Sequence, residues 1–140
     1  TDLLADTKLA PELSNEAHYY RAKAYLDAGK TDGAMEDLKV LAKDTRNVYG
    51  AEAKYKVAQI YFDGGQTDKA EQEVLNYIEV STPHTYWLAR SFVLLADVYM
   101  KLGRNLDAKQ YLLSLKQNYQ ADDDIAGMIE SRLEKLKTEN

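Results

Sequence analysis

The side chains that could bind a metal ion or serve as catalytic groups are few and widely spaced in this sequence. The two histidines, His18 and His84, lie far apart, and the chain contains no cysteine. A metal site usually needs three or four ligands at matched spacings, so we expect both histidines at the surface or at helix starts. The run Asp122 to Asp124 lacks the glycine-centred spacing of a calcium loop. We expect these carboxylates at a helix N-terminus, which favours negative charge.

No other motif in the sequence indicates catalysis. None of four serines lies in a sequence context that would activate it as a nucleophile. These serines are Ser81, Ser91, Ser114 and Ser131. Gly64 and Gly65 are not preceded by a strand pattern, as a phosphate-binding loop would be. The adjacent carboxylates of Glu36 and Asp37 are predicted to lie on a solvated helix face. The sequence therefore predicts no catalytic residue, no cofactor and no metal, and the chain is not expected to be an enzyme.

Composition narrows the possible partners. The chain has 140 residues and a net charge of −5, which disfavours nucleic acid because phosphate binding needs a basic surface. The longest apolar run, Phe92 to Ala96, is too short to cross a bilayer, so no membrane insertion is expected. The absence of cysteine fits a reducing and an oxidising compartment equally well.

Three segments of the chain share one pattern of small, aromatic and glycine residues. The equivalent residues are Ala22, Tyr25, Gly29 and Ala34 in the first segment, Ala58, Tyr61, Gly65 and Ala70 in the second, and Ala96, Tyr99, Gly103 and Ala108 in the third. The pattern recurs after 36 and then after 38 residues. Repetition at such a period is typical of stacked repeat arrays, whose repeats bury their apolar faces against one another. The sequence therefore predicts helical hairpins that stack.

The apolar residues within each segment recur at spacings of three and four, which indicates helices. We expect Thr31, Thr67 and Asn105 to cap the second helix of each hairpin, and Thr82 with Pro83 to begin a helix. A seventh helix is expected from about Asp123 to Leu136. The predicted fold class is all-α: an α-α superhelix of three helical hairpins closed by a C-terminal capping helix.

The same pattern predicts how the chain is divided. The predicted segments are residues 1–13 as the tail of a preceding repeat or a linker, 14–46, 47–81 and 82–119 as three repeats, and 120–140 as the capping helix. The segment Leu4 to Lys8 is similar to Leu41 to Arg46, at the end of the first repeat. We therefore expect the chain to begin inside a preceding repeat and to be the C-terminal part of a longer array.

These residues resemble the tetratricopeptide repeat. That family has a small residue, an aromatic, a glycine, an alanine and a large apolar residue in this order. The large apolar residue of the three repeats is Leu38, Val74 and Leu112, respectively. The usual early aromatic is present as Phe92 in the third repeat alone. Periods of 36 and 38 residues, read from Tyr25, Tyr61 and Tyr99, exceed the family's usual period. Long repeats of this kind resemble those of bacterial cell-envelope assembly and scaffold proteins, so a location in the envelope or periplasm is expected.

The resemblance implies that the first helix of each hairpin lines a concave groove that binds a protein or peptide. The residues at the implied partner-binding positions are Glu16, Tyr19, Lys23, Glu52, Tyr55, Gln59, Arg90, Val93 and Asp97, with Leu26, Asp27, Phe62, Asp63, Met100 and Lys101 at the remaining groove positions. Leu26, Phe62 and Met100 have a second interpretation, in which they pack against adjacent hairpins. A peptide with an apolar anchor and a basic portion near the first two repeats would suit this groove.

The predicted function is a protein–protein interaction module that acts as a non-catalytic scaffold. The alternative is structural: the repeats of a larger envelope protein would serve self-association or intramolecular packing. In that case Tyr49, Tyr86 or Trp87 would form subunit contacts, and a homo-oligomer is possible.

Overall fold

A computed structural model describes residues 9–80 and 82–138, with side chains from Leu13 onward. The described residues form seven helices and no strand. The helices are α1 (Leu9–Asp27), α2 (Thr31–Leu41), α3 (Val48–Asp63), α4 (Thr67–Glu79), α5 (Thr85–Lys101), α6 (Asn105–Asn118) and α7 (Ile125–Thr138). Helices α1 to α6 pair as three hairpins that stack in chain order, and α7 packs against the third. The prediction of an all-α hairpin solenoid is confirmed; the segment Leu4 to Lys8 lies outside the described residues, and the division into repeats stays a prediction.

One turn geometry closes all three hairpins. Gly29, Gly65 and Gly103 have φ of 74°, 81° and 77°, a left-handed conformation that costs glycine little. In the first hairpin, the amide of Gly29 donates to Leu26 O at 3.0 Å and that of Lys30 donates to Tyr25 O at 2.7 Å. Together these bonds form a Schellman motif, which satisfies the last carbonyls of the first helix.

The residue after each glycine also serves as the N-cap of the next helix. Lys30, Gln66 and Arg104 occupy the three N-cap positions and make no side-chain capping bond. The prediction that Thr31, Thr67 and Asn105 are caps is therefore wrong, because the glycine turn is so short that the second helix begins one residue earlier. These three residues are the first of their helices.

The core is built from small residues where the two helices of a hairpin cross. The alanines at these crossings are Ala22, Ala34, Ala58, Ala70, Ala96 and Ala108, and all six are buried. Larger apolar residues fill the space beside them, with Leu38 and Val57 in the first part of the core and Leu95 and Leu112 in the second. Helix α7 closes the second part with Ile125, Ile129 and Leu136.

The connections between hairpins contact one another. Thr82 Oγ1 donates to Thr45 O at 2.8 Å, and His84 Nε2 lies 3.1 Å from Arg46 O. Helix α5 begins at Thr85 with His84 as its N-cap, so the prediction that Pro83 begins this helix is wrong. The reason is that Thr82 Oγ1 also accepts the His84 amide at 3.1 Å, which holds the preceding residues in a turn.

Candidate functional site

Helices α1, α3, α5 and α7 lie side by side and form one face of the array, which we call the inner face. Each of them except α7 is the first helix of a hairpin, so equivalent positions of successive repeats meet along this face. The predicted partner-binding residues all belong to α1, α3 and α5. The contacts that they make decide which of them could bind a partner.

Equivalent tyrosines join neighbouring helices of the inner face. Tyr19 Oη donates to both carboxylate oxygens of Glu52 at 3.2 Å, which ties α1 to α3. One repeat later, Arg90 Nη2 donates to Tyr55 Oη at 3.0 Å, which ties α3 to α5. Burial and the neighbouring Glu52 carboxylate raise the pKa of Tyr19, so its hydroxyl remains a hydrogen-bond donor. These predicted partner-binding residues thus hold the repeats together.

Arg90 lies at the centre of a larger polar network on the inner face. Its Nη1 donates to Tyr86 Oη at 3.0 Å, and Tyr86 Oη donates to Asp124 at 2.9 Å, immediately before α7. Its guanidinium lies 4.9 Å from the centre of the Tyr55 ring, within the range of a cation–π contact. Tyr55 Oη in turn donates to Gln59 Oε1 at 2.8 Å. The guanidinium of Arg90 therefore binds to side chains of the same chain.

Asp97 makes the equivalent link between α5 and α7. Arg132 Nε and Nη2 donate to its two carboxylate oxygens at 2.7 and 2.9 Å, a forked geometry that fixes both side chains. Arg132 also donates to Met128 O at 3.2 Å within α7. The sequence analysis did not identify Arg132 as a partner of Asp97. The sequence contained a signal for this pair, because Arg132 follows Asp97 by 35 residues, the same separation as between Tyr55 and Arg90.

Two predicted partner-binding residues are buried. Val93 is 3% exposed and Tyr55 is 7% exposed, and both belong to the core. Val93 therefore offers no contact area to a partner, and its predicted binding role is corrected to a packing role: the face of α5 that meets α3 and α7 is covered by them. Glu16 and Lys23, by contrast, are exposed.

A cleft opens on the inner face where α3, α5 and α7 meet. It has a volume of about 470 Å³. Its lining residues are Phe62, Asp97, Met100, Lys101, Ser131, Arg132 and Lys135. Phe62 and Met100 are half-buried and pack against the core at the base of the cleft. Each of these two residues therefore packs against the core and also lines the cleft.

A second cleft lies between the first two hairpins, close to their glycine turns. It has a volume of about 600 Å³. Its lining residues are Leu26, Thr31, Asp32, Met35, Ile60, Tyr61, Asp63, Gly64 and Gln66. The charged residues of this lining are two aspartates, so the first cleft carries basic groups and the second carries acidic ones.

A buried carboxylate links the two helices of the first hairpin. Asp37 is 1% exposed and accepts two hydrogen bonds from Arg21, at 2.8 and 2.6 Å. His18 Nδ1 lies 2.7 Å from the same carboxylate. The hydrogen bonds from Arg21 hold the pKa of the Asp37 carboxyl below its usual value, although burial acts in the opposite direction. The prediction that Asp37 lies on a solvated face is wrong, because these partners in α1 allow the carboxylate to be buried in ionised form.

Within residues 9–80 and 82–138, no three His, Asp or Glu side chains come together in a way that could hold a metal ion. None of the helices in this part of the chain is both long enough and apolar enough to span a membrane.

Comparison with known proteins adds one finding. Two family models described as tetratricopeptide repeat match the chain, one over residues 16–44 and the other over residues 89–118. The first match covers the first hairpin from Glu16 onward, and the second covers most of α5 and all of α6. A search of curated proteins found no match.

Proposed function

Because the chain carries tetratricopeptide repeats, which generally mediate protein–protein interaction in non-catalytic scaffolds, we propose that its inner face binds a segment of a partner protein. The observation that carries this proposal is the cleft where α3, α5 and α7 meet. Its volume of about 470 Å³ lies in the range usual for ligand sites, ~300–1,000 Å³. Phe62 and Met100 supply apolar contact area in this cleft, and the other lining side chains are polar or charged.

The contacts within the inner face support rigid-surface recognition. The Asp97–Arg132 pair and the Arg90 network fix α3, α5 and α7 relative to one another. A partner that binds a pre-organised cleft loses less free energy to the ordering of protein side chains. In this proposal Tyr55, Arg90 and Asp97 shape the surface, while Phe62, Met100 and Lys101 contact the partner.

A structural role is the second candidate function, and one observation favours it. Tyr20 is 61% exposed and Leu13 is 39% exposed, both on α1 at the N-terminal end of the array. A preceding repeat or a second copy of the chain could cover these apolar side chains. Tyr86 and Trp87, by contrast, are half-buried, and Tyr86 is bonded to Arg90 and Asp124.

The experiment is affinity capture from a lysate of the source cells, with a variant whose cleft is filled. Ser131 is exposed and lines the cleft, so Ser131→Trp should block it without disturbing the core. Gln117→Trp on α6 is the matched control, since Gln117 is also exposed and lies outside the cleft lining. We expect a prey that the wild type and Gln117→Trp retain and Ser131→Trp loses.

Two results would contradict the proposal. A prey retained equally by Ser131→Trp would place binding outside the cleft. Recovery of the bait alone, with a mass that rises with concentration, would favour self-association instead. Circular dichroism of both variants verifies that neither tryptophan changes the helical content.

A further inference from the structure

We propose that the chain binds the phosphate group of a small molecule in a cavity between α2, α3 and α4, a site separate from the cleft of the proposed function. The cavity has a volume of about 260 Å³, below the range of ~300–1,000 Å³ that is usual for drug-sized ligands. It shares no lining residue with the two clefts described above. Its basic lining residues are Lys39, Lys43 and Lys54, and its acidic lining residue is Glu73.

Lys54 is a buried cation in the wall of this cavity. The residue is 9% exposed, and its Nζ lies 3.0 Å from Glu73 Oε2. An ammonium group carries three donor hydrogens, so the contact with Glu73 leaves donor capacity for a second acceptor. The buried ammonium can therefore bind an anion in the cavity while it keeps its contact with Glu73.

The cavity has a surplus of positive charge on a chain that is acidic as a whole. Lys39 and Lys43 are exposed, and neither has an ion-pair partner among the described residues. Lys39 Nζ lies 5.7 Å from the centre of the Tyr61 ring, a contact that leaves its charge in place. Three ammonium groups and the Glu73 carboxylate leave two positive charges. A phosphate monoester carries about −1.5 to −2 charges near pH 7, so its charge matches that surplus.

The neighbouring pair of hairpins shows that the fold does not require lysines at these positions. With the repeat offsets of 36 and 38 residues, the equivalents of Lys39, Lys43 and Lys54 are Leu75, Glu79 and Phe92, respectively. The last turn of α4 contains no basic residue, so the end of this second helix forms without the two lysines found at the end of α2. The three lysines are therefore particular to the junction of the first two hairpins, as a ligand site requires and the fold does not.

The ion pair of Lys54 and Glu73 has a ring pair as its equivalent in the third hairpin. Phe92 of α5 and Tyr111 of α6 occupy the same two positions, with their ring centres 6.2 Å apart. A buried ion pair often contributes no more to stability than well-packed apolar side chains of similar volume. The joining of α3 to α4 therefore does not explain why charges are present here, and anion binding by Lys54 does.

The test is a titration of the chain with inorganic phosphate, followed by amide chemical shifts at an ionic strength held constant with sodium chloride. We expect saturable shifts at Lys43, Lys54 and Asn76, which line the cavity. A parallel titration with glycerol phosphate distinguishes the sources of the phosphate group. Tighter binding of glycerol phosphate would assign a phosphomonoester as the ligand, and equal or weaker binding would assign free phosphate. The absence of saturable shifts with both probes would overturn the proposal.

Two double variants with the same change in net charge test whether the cavity is the site. Lys39→Gln/Lys43→Gln should weaken phosphate binding about tenfold or more, because it removes two of the three cations. The control Lys30→Gln/Lys109→Gln changes two exposed lysines outside the cavity and should leave the affinity within about twofold. Equal weakening in both variants would show general attraction to the charge of the chain and would overturn the proposal.

A third double variant separates binding from folding. Lys54→Phe/Glu73→Tyr introduces the ring pair of the third hairpin and removes one positive and one negative charge, so the net charge stays at −5. We expect this variant to remain folded in thermal unfolding by circular dichroism and to lose phosphate binding about tenfold or more. A folded variant that binds phosphate as tightly as the wild type would overturn the role of Lys54. If the variant does not fold, Lys39→Gln/Lys43→Gln decides the question, because its two changes lie at exposed positions.

Discussion

The ion pair between Asp97 and Arg132 should stabilise the chain because it holds α7 against α5. Its side chains are 23% and 27% exposed and share two hydrogen bonds of 2.7 and 2.9 Å. Fully exposed pairs contribute ~0.2–1 kcal/mol, whereas removing one partner of a buried pair costs ~3–5 kcal/mol. The intermediate exposure and the forked geometry indicate a coupling free energy of about 1.5 kcal/mol.

A double-mutant cycle measures this coupling. Urea unfolding of Asp97→Asn, Arg132→Gln and the double variant should show that each single change costs about 2 kcal/mol, and that the double change costs about 2.5 kcal/mol. The exposed pair Glu134–Lys137, 3.9 Å apart, is the control and should couple by less than about 0.5 kcal/mol. A coupling of the same small size for Asp97 and Arg132 would refute the view that this pair forms a fixed wall of the cleft.

Three further predictions concern stability. Gly50→Ala places its Cβ 1.9 Å from Asp44 O, a backbone atom, and should lower the free energy of unfolding by about 3 kcal/mol; an unchanged urea midpoint would contradict this. In Gly127→Ala, on α7, the added Cβ meets no atom within 4 Å, so the substitution should raise the free energy of unfolding by about 0.5–1 kcal/mol. A lower free energy of unfolding would contradict the assignment of this residue to a helix. The lowered pKa of Asp37 means that its stabilisation is present above its unfolded-state pKa of about 4 and is lost as the pH falls through the lower folded-state pKa. The wild type should therefore lose more stability than Asp37→Asn between neutral pH and about pH 3, as measured by urea unfolding at each pH; equal losses would show that the carboxyl is not held in ionised form.

Much of the fold was predictable because its signals are local. The repeated glycines and the spacing of small residues indicated where each hairpin turns and where its helices cross. The errors at the helix starts are local as well. Thr31 has the side chain of a cap, but the Schellman turn around Gly29 makes Lys30 the cap residue. The side-chain preference was real and the backbone geometry overrode it.

The candidate site was less predictable because it depends on how the hairpins stack. The family resemblance implies that Tyr55 and Val93 lie in a partner-binding groove, but both residues are buried in the core. The sequence predicted Asp37 on a solvated helix face. The carboxylate is buried instead, because Arg21 of α1 donates hydrogen bonds to it. Arg132 belongs to α7, and its pairing with Asp97 depends on how α7 packs against α5. Contacts between distant repeats therefore decided which residues remain accessible.

The inner face carries one pattern of polar contacts that repeats from helix to helix. Tyr19 with Glu52, Tyr55 with Arg90 and Asp97 with Arg132 join successive helices in sequence. Several of these polar groups were predicted from the sequence to bind a partner. In the proposed function, the partner binds in the cleft that these helices leave open, which Phe62, Met100 and Lys101 help to line.

The most direct test of partner binding at the inner face is amide chemical-shift mapping by nuclear magnetic resonance, with a segment of the partner that affinity capture recovers. The account predicts that the largest shifts fall at Phe62, Met100, Lys101, Ser131 and Lys135, and that Ser131→Trp abolishes them. Shifts confined to α2, α4 and α6 would contradict it, because they would place the partner on the opposite face of the array.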